Sequence, residues 1–479
     1  MSSHNLIVLS DVHLGSDLVH CVQPDAPHRD ARDDARDRQL SALFDWYRQH
    51  PDRGLPWKLV IAGDFIDFVG MSVPAPDSAL WTPPNAEDLE LGLGGAEDHT
   101  IYKLRCVARR HRAVFEALAR FVNAGNRIVM VRGNHDVDFH WPQVQDEFVR
   151  QLAMHAPIPR GSIEFSPWFY YEEGLVFVEH GHQYDRYCSY ENVLSPLSPS
   201  DPRRSSRSLS DILLRHVVRP TRGLGESGHE SAGVLDYILF GLRLGIRGTV
   251  DLFARFVWAV ATLFAMWQEH WSEGARRIRQ IQERRLSELA LALDMKLESL
   301  RALASLHRPP VTRSFGQLVL AVMLDRILFT LSGLVLVVLA FALAPQWHHA
   351  LLLSLGVALL FVSVAALLSR LRPIDPTMEL RECATRVATL FPAAFVVMGH
   401  THLPEVRPNA GGDATYVNLG CWAGEQGESA AGPGLASRTH LVVHVEDDGR
   451  SMAELLVWDA ESGPRRFVSV DPTHGLGNG

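Results

Sequence analysis

Residues 396–402 read Val396-Val397-Met398-Gly399-His400-Thr401-His402, a short apolar run that ends in Gly-His-Thr-His. The apolar part is typical of a buried strand, and the two histidines follow it directly. Residues two apart in an extended segment project to the same side, so both imidazoles can face one cavity where the strand becomes a loop. We therefore expect His400 and His402 to form one edge of a site whose other residues lie far away in the chain.

Four earlier apolar runs, at residues 5–10, 58–62, 127–131 and 175–178, also end at polar side chains. These side chains are Asp11, His13, Asp64, Asn134, His135, Asp136 and His180. Helical patterns separate several of the runs, and this alternation of strands and helices predicts an α/β fold. Because ligands bind outside the carboxyl ends of the strands in open α/β sheets, the polar side chains are expected to meet there.

Composition limits the classes of function. A chain of 479 residues exceeds what one core usually serves, so two structural units are expected. The net charge of -9 argues against a general nucleic-acid binder, which needs an excess of basic residues. The five cysteines are odd in number and lack Cys-x-x-Cys spacing, which favours a reducing compartment over a disulfide framework or a zinc ribbon. The N-terminal apolar run, residues 6–9, is too short for a signal peptide, so the N-terminal part is expected in the cytoplasm.

Residues 185–390 interrupt the pattern of strands and helices. Residues 195–232 are rich in Ser, Pro, Arg and Gly, which indicates a loop or a flexible excursion. Residues 234–271 are apolar and aromatic but carry charged side chains, so they suit an interfacial or lid helix better than a membrane span. Residues 272–306 predict a long charged helix.

Two uncharged runs follow, at residues 327–344 and 350–368. Each reaches the roughly 18 apolar residues expected of a membrane-spanning helix. Arg326 precedes the pair and Arg370 and Arg372 follow it, whereas the connecting loop has no Lys or Arg, which puts both outer ends in the cytoplasm. A transmembrane hairpin would also keep both halves of the site in one compartment. The alternative is a buried helical hairpin within a soluble lid.

These patterns divide the chain into five segments and predict its location. The segments are a first core part at 1–184, a helical and loop insertion at 185–325, a transmembrane hairpin at 326–371, a second core part at 372–470 and a flexible tail at 471–479. The expected location is the cell inner membrane or cytoplasmic membrane, with the catalytic domain in the cytoplasm.

The polar side chains at the strand ends suit metal chemistry. Carboxylate, imidazole and amide ligands together bind divalent ions such as manganese, iron or zinc, and one carboxylate can bridge two ions. Two cations lower the pKa of a bridging water, so that hydroxide can attack a phosphate near neutral pH, and they neutralise charge on a phosphoryl oxygen. His135 is then a natural group to stabilise that charge or to protonate the leaving oxygen, with Asp136 as a candidate to orient it. Asp67 and His182 are expected at turns or outside the ligand set.

The ordered motifs resemble those of the calcineurin-like metallophosphoesterases, which are D-x-H, G-D-x-x-D, G-N-H-D/E, an isolated His and G-H-x-H. In this chain the motifs are Asp11/His13, Asp64/Asp67, Asn134/His135/Asp136, His180 and His400/His402. The resemblance covers residues 5–183 and 392–460 and implies a four-layer αββα sandwich. It also implies two divalent metal ions, with manganese preferred and iron or zinc as alternatives.

The resemblance further implies how the ligands are shared. One metal would take Asp11, His13, Asp64 and His402, and the other would take Asp64, Asn134, His180 and His400. Asp64 would bridge the two ions. Gly63, Gly133 and Gly399 would let the backbone approach the metals closely.

The insertion indicates a class of substrate. An apolar, Arg-bearing segment tethered by a membrane hairpin would hold the catalytic part at the cytoplasmic leaflet. The first hypothesis is therefore hydrolysis of a phosphate or pyrophosphate ester that is lipid-linked, in some similarity to the UDP-diacylglucosamine hydrolases of lipid A synthesis. The second is a membrane-anchored phosphodiesterase or phosphatase for soluble substrates. The third is a metal-binding membrane scaffold without catalysis.

Overall fold

Two β-sheets form the centre of the protein. The computed structural model describes residues 4–22, 31–221, 234–322, 324–343, 346–370, 375–409, 412, 414–422, 438–446 and 449–468. The strands of this part are β1 (Asn5–Leu9), β2 (Trp57–Ala62), β3 (Arg127–Val131), β4 (Ile163–Ser166), β5 (Phe169–Glu172), β6 (Gly174–Glu179), β7 (Ala393–Met398), β8 (Glu405–Pro408), β9 (Thr415–Asn418), β10 (Thr439–Val445), β11 (Ser451–Val457) and β12 (Arg465–Arg466). The first sheet has the order β12-β11-β10-β1-β2-β3-β4, and the second has the order β5-β6-β7-β9-β8.

Helices cover the outer faces of both sheets. The helices of the described residues, which include others that do not cover a sheet, are α1 (Ala31–Gln49), α2 (Ala86–Leu91), α3 (Glu97–Arg110), α4 (Arg112–Asn123), α5 (Pro142–Ala153), α6 (Leu209–Leu213), α7 (Val234–Glu269), α8 (Glu273–Ala292), α9 (Leu297–Leu306), α10 (Phe315–Ala321), α11 (Leu324–Leu343), α12 (Trp347–Arg370) and α13 (Thr377–Leu390). The chain from α6 to α12 belongs to the segment that interrupts the strand and helix pattern of the sequence.

Apolar side chains fill the space between the two sheets. Leu6 and Val8 of β1 pack in one cluster with Val397 of β7. Ile7 and Leu9 point to the opposite face, in a cluster that also contains side chains of α1, α4 and α5. Both faces of β1 are therefore buried, which explains why its sequence is continuously apolar rather than alternating.

The outer face of the second sheet is covered by helices from distant parts of the chain. Phe177 of β6 and Val396 of β7 pack in one cluster with Leu380 of α13. Leu286 of α8 and Leu300 of α9 lie in the same cluster, although both helices come from the insertion. The layers therefore run helix, sheet, sheet, helix. The predicted αββα sandwich is confirmed, and part of the insertion completes its fourth layer.

The segment 195–232, expected to be a loop or a flexible excursion, is folded against the core where the structure describes it. Ile212 of α6 packs in a small cluster with Leu263 of α7. Ser208 caps α6 by accepting from a backbone N–H. Arg215 donates from Nε to Glu87 at 3.0 Å. The polar side chains that suggested a loop therefore act as a helix cap and as partners of core residues.

The two runs predicted to span a membrane form α11 and α12, which pack against each other. Their described side chains are largely exposed, with Leu343 78% and Leu359 70% exposed. The membrane-spanning hairpin stays a prediction, as does the alternative of a hairpin buried in a soluble lid. Arg372, the tail from residue 471 and the side chains of residues 324–331 lie outside the described part of the chain.

One helical stretch of the described residues, Leu244–Glu269 within α7, is long and apolar enough to cross a membrane, judged by length and composition. A shorter apolar stretch, Trp347–Phe361, lies within α12. The chain bends at Gly245, where φ is 72° and ψ is 177°. The interfacial or lid role expected for residues 234–271 stays a prediction, as do the five segment boundaries.

Candidate metal centre

The polar side chains singled out in the sequence lie at the carboxyl ends of parallel strands. Strands β1, β2 and β3 run parallel in the first sheet, and β6 and β7 run parallel in the second. The site residues that follow these five strands are Asp11, His13, Asp64, Asn134, His135, His180, His400 and His402. Because the two sheets face each other, their strand ends bring groups from both halves of the chain to one place.

One group of side chains gathers around Asp11. Its Oδ1 lies 3.1 Å from His402 Nε2 and 3.9 Å from His13 Nε2. The two imidazole nitrogens lie 3.4 Å apart. Ligand atoms of these three residues all lie within 4.8 Å of one another, so the group could hold a metal ion.

A second group gathers around His180. Its Nε2 lies 3.1 Å from Asp64 Oδ2 and 3.1 Å from Asn134 Oδ1. Ligand atoms of Asp11, Asp64 and His180 also lie within 4.8 Å of one another. Asp64 Oδ2 is in addition 3.9 Å from His13 Nε2, so this carboxylate stands between the two groups.

His400 lies beside the second group. Its ring centroid is 5.3 Å from that of His180. Its Nε2 lies 3.1 Å from Oδ2 of Asp185, a residue of the insertion. His400 therefore reaches the predicted place, while its role as a metal ligand stays a prediction.

Burial and mutual charge control the protonation of these groups. Burial raises the pKa of Asp64, but the neighbouring His180 and His135 outweigh it and hold that pKa well below its usual value. Burial lowers the pKa of His180, but the carboxylates of Asp64 and Asp11 outweigh it and raise the pKa to about 9. Burial and the charge of His135 lower the pKa of His13 to about 3. The carboxylates are therefore ionised and His13 is neutral, which are the forms that bind metal ions, whereas His180 is protonated near neutral pH and has to lose its proton to bind one.

The backbone at the site is held in an unusual conformation. Five of its residues have positive φ, namely Asp11 (54°), His13 (52°), Asp64 (53°), His400 (69°) and His402 (60°). The left-handed region is unfavourable for residues other than glycine, and such strain tends to collect at functional sites. The strain turns the side chains at three strand ends toward a common centre.

Two motif glycines permit a close approach between the loops. A Cβ at Gly133 would collide with the Asp64 carboxylate, and a Cβ at Gly399 would collide with Ser10 and Asp11 side chains. The sequence predicted that these glycines bring the backbone close to metals. The structure shows which atoms lie against them, and these are the ligand groups of the neighbouring loops.

His135 is oriented by Asp67 rather than by Asp136. His135 Nδ1 lies 2.6 Å from Asp67 Oδ1. Asp136 instead accepts from the backbone N–H of Gly133 at 2.6 Å and of Phe65 at 2.9 Å. The predicted orienting role of Asp136 is thus corrected: its carboxylate ties two motif loops together. Asp67, expected at a turn or outside the ligand set, makes the contact with His135 that was assigned to Asp136.

Three residues of the insertion reach the site without a signal in the sequence. Asp185 contacts His400, as described above. Arg219 donates from Nη2 to Asp67 Oδ2 at 2.8 Å. Tyr190 donates from its hydroxyl to the Asn134 carbonyl at 3.0 Å. Arg219 belongs to the segment whose composition suggested a loop, so only the folded structure connects it with the motifs.

The fold and the cluster together define a class of protein. Ionised carboxylates, imidazoles and an amide converge between the sheets of an αββα sandwich. This set of ligands is suited to divalent cations and to hydrolysis at a metal centre. A model of the calcineurin-like phosphoesterase family matches residues 4–241. Residues 4–241 therefore contain a calcineurin-like phosphoesterase domain, and this family consists of metal-dependent hydrolases of phosphoric ester bonds. A search of curated proteins finds no match.

The family match ends before the last two histidines of the site. His400 and His402 lie more than a hundred residues beyond residue 241, where the match stops. The structure brings both histidines to the matched part, since Gly399 donates its N–H to the His180 carbonyl at 3.0 Å and His400 donates its N–H to Asp11 Oδ2 at 3.1 Å. The centre is therefore assembled from both ends of the chain.

Proposed function

We propose that this chain is a two-metal phosphoesterase that cleaves a phosphate or pyrophosphate ester at the cytoplasmic face of a membrane. The observation that carries the proposal is the position of Asp64 between two groups of ligands. One group contains His13 and His402, and the other contains Asn134 and His180. A carboxylate in that position suits two cations that share it.

The residues fit divalent ions on their own chemistry. The Nε2 atoms of His13 and His402 lie 3.4 Å apart beside the buried carboxylate of Asp11. Nitrogen lone pairs and a carboxylate that converge on one point repel one another unless a cation lies among them. Manganese is our first choice of metal, with iron or zinc as alternatives, because the ligands mix oxygen and nitrogen.

Each proposed ion has its own set of side chains. The first set is Asp11, His13, Asp64 and His402, and the second set is Asp64, Asn134, His180 and His400. Bound divalent ions lower the pKa of water and neutralise charge on a phosphoryl group. Asp11, His13, Asp64, Asn134 and His180 are buried, while His400 and His402 are partly exposed. Burial excludes competing water from the buried ligands and strengthens their electrostatic interactions.

His135 is the proposed group for charge stabilisation or proton transfer. Its ring lies beside that of His13, with the centroids 4.6 Å apart. Asp67 accepts from Nδ1 and thereby directs Nε2 toward the site, where it can donate to a phosphoryl oxygen or to the leaving oxygen. A scaffold without catalysis would not need this donor. The arrangement therefore favours an enzyme over a metal-binding scaffold.

Exposed apolar helices support the membrane part of the proposal. Leu355 of α12 is 68% exposed, and much of the described surface of α11 and α12 is similar. Large exposed apolar surfaces mark contacts with a protein or a membrane, and the run lengths favour the membrane. A substrate held in the same leaflet would be lipid-linked. A soluble phosphate ester is the second candidate, because the metal centre itself makes no distinction between the two.

The full chain, purified in detergent and supplied with manganese, would be assayed on an aryl phosphate and on a lipid-linked pyrophosphate. Elemental analysis should find two divalent ions per chain. The His135→Ala variant should lose most of its activity on both substrates while keeping its metals. Normal hydrolysis by this variant would overturn the catalytic assignment.

A chain that lacks residues 326–371 separates the two substrate classes. Its turnover of the aryl phosphate should equal that of the full chain, which serves as the control for folding. Its turnover of the lipid-linked substrate in vesicles should fall. Equal turnover of both substrates would favour the soluble class and remove the main support for the lipid-linked class.

A further inference from the structure

A cavity with a volume of about 70 Å³ lies beside the loop that carries Asn134. It is lined by Arg132 and His140 of the core and by Arg285 of α8, which belongs to the insertion. No Asp or Glu is among the described residues that line it. Apolar side chains such as Phe139 and Phe165 form the rest of its wall, and a cavity of this volume has room for a small oxyanion or for several waters.

Arg132 is almost completely buried at this cavity, with 6% of its surface exposed. Its Nε donates to the Pro167 carbonyl at 3.1 Å, and its Nη2 donates to the Val193 carbonyl at 2.9 Å. Its Nη1 is buried and has no hydrogen-bond partner within the part of the chain that the structure describes. A buried donor without a partner is costly, so this nitrogen indicates a ligand.

Arg285 brings a second guanidinium to the same cavity. Its Nη1 donates to the Leu194 carbonyl at 2.6 Å and to Nδ1 of His140 at 3.2 Å. His140 accepts this bond only as a neutral imidazole, and it then carries its proton on Nε2. Burial together with the charges of Arg132 and Arg285 lowers the pKa of His140 to about 3, which keeps it neutral.

The positive charge of the buried Arg132 is not balanced by the groups that it contacts, whereas Arg285 is partly exposed and has Glu288 as an acidic neighbour. Backbone carbonyls accept their hydrogen bonds but carry no net charge. Asp136 acts on Arg132 only through space, because its oxygens accept from the N–H groups of Gly133 and Phe65. Arginine stays charged in proteins, and a buried charge without a counter-charge is strongly unfavourable. An anion in the cavity would remove that cost.

We propose that this cavity, the Arg132–Arg285 site, binds a phosphate group. Guanidinium groups bind phosphate through paired, charge-assisted N–H···O bonds, and both Arg132 and Arg285 line this cavity. Arg132 also lines a small cavity that contains His180, so the site adjoins the metal centre. The phosphate is either free inorganic phosphate or a second phosphate group of the substrate.

Phosphate binding would be measured on the full chain by equilibrium dialysis with radiolabelled inorganic phosphate, before and after removal of metals with EDTA. The wild-type chain should still bind one phosphate per chain after EDTA. The Arg285→Gln variant should bind it at least about tenfold more weakly, since a charge-assisted contact is lost. Binding in the absence of metals does not depend on the proposed hydrolysis, so the two proposals can fail separately.

Arg284→Gln is the matched control, because it removes the same charge from the adjacent, exposed position of α8. It should bind phosphate like the wild type. The Arg285→Lys variant keeps the charge and should bind with intermediate affinity, which distinguishes a lost ligand from a misfolded variant. Absence of phosphate binding after EDTA, or equal weakening by Arg284→Gln and Arg285→Gln, would overturn the proposal.

Kinetics then identify the source of the phosphate. If a second phosphate group of the substrate occupies the site, Arg285→Gln should raise KM for a bisphosphorylated substrate and leave KM for an aryl monophosphate unchanged. If free phosphate occupies it, neither KM should change and inhibition by added phosphate should weaken. A change of kcat alone for both substrates would contradict both forms of the proposal.

Discussion

The contact between Asp67 and His135 predicts a specific kinetic defect in the Asp67→Asn variant. Asp67 is fully buried and contacts His135 Nδ1 at 2.6 Å and Arg219 Nη2 at 2.8 Å. Burial raises the pKa of Asp67, but His135 and Arg219 outweigh it and lower the pKa below its usual value, so the residue is a carboxylate. Asparagine keeps the shape of the side chain and removes the charge.

Loss of one charge-assisted hydrogen bond costs about 1.5–3 kcal/mol. If that cost falls on the transition state, kcat should decrease by roughly 10- to 150-fold. A carboxylate stabilises a protonated imidazole, so its removal should also move the basic limb of the kcat profile to lower pH. KM should change little, because the metal ligands stay in place.

The assay would follow kcat against pH at saturating manganese, with the metal content of each variant verified. Asp136→Asn is the comparison, because it also replaces one buried carboxyl group nearby, whose pKa burial and the charge of Asp64 raise to about 7. Asp136 contacts backbone N–H groups, so its variant should lose stability without moving the basic limb. A shifted limb for Asp136→Asn together with an unchanged profile for Asp67→Asn would refute the reasoning.

Three further predictions test other parts of the structure. His402→Ala should reduce the metal content from two ions to one per chain in elemental analysis, while a retained second ion would contradict its assignment to one ligand set. Gly133→Ala should fail to bind metal or to fold, because its Cβ would collide with the Asp64 carboxylate; wild-type metal content and melting temperature would contradict this. Burial lowers the pKa of His440 to about 3, so the stability that it contributes is present above the unfolded pKa of about 6.5 and is lost as the pH falls toward 3. Between pH 7 and pH 5 the free energy of unfolding of the wild type should therefore fall by about 2 kcal/mol more than that of the His440→Phe variant. Denaturant unfolding at both pH values measures this difference, and equal decreases would contradict the prediction.

The four-layer sandwich was implied by the family resemblance, whereas the α/β pattern and the position of most site residues were predicted from the sequence for one physical reason. Polar residues that follow apolar strands must lie at the carboxyl edge of a sheet, and this rule needs no knowledge of loop conformation. Which carboxylate orients His135 depends on loop conformation. Asp67 lies three residues past a positive φ at Asp64, and Asp136 is turned back onto Gly133. Neither feature has a signature in the residue pattern.

The contribution of the insertion was hidden for a different reason. Its contacts with the core pair residues that are far apart in sequence, such as Arg219 with Asp67. Periodicity and composition describe local structure only, and a stretch rich in Ser, Pro, Arg and Gly is read as a loop by both. Hydrogen bonds to distant core residues hold the described part of the stretch 195–232 in a folded conformation. These bonds need the sheets to be in place.

The insertion therefore has two parts that differ in their relation to the metal centre. The part before α11 supplies buried apolar side chains to the fourth layer, and it places Asp185 against His400 and Arg219 against Asp67. The described side chains of α11 and α12 are instead largely exposed. A substitution in the part before α11 can therefore move side chains of the metal centre. A substitution in the exposed hairpin of α11 and α12 instead affects contacts between the protein and its surroundings. The boundary that matters for catalysis is thus the start of α11, rather than the point at residue 185 where the strand and helix pattern stops.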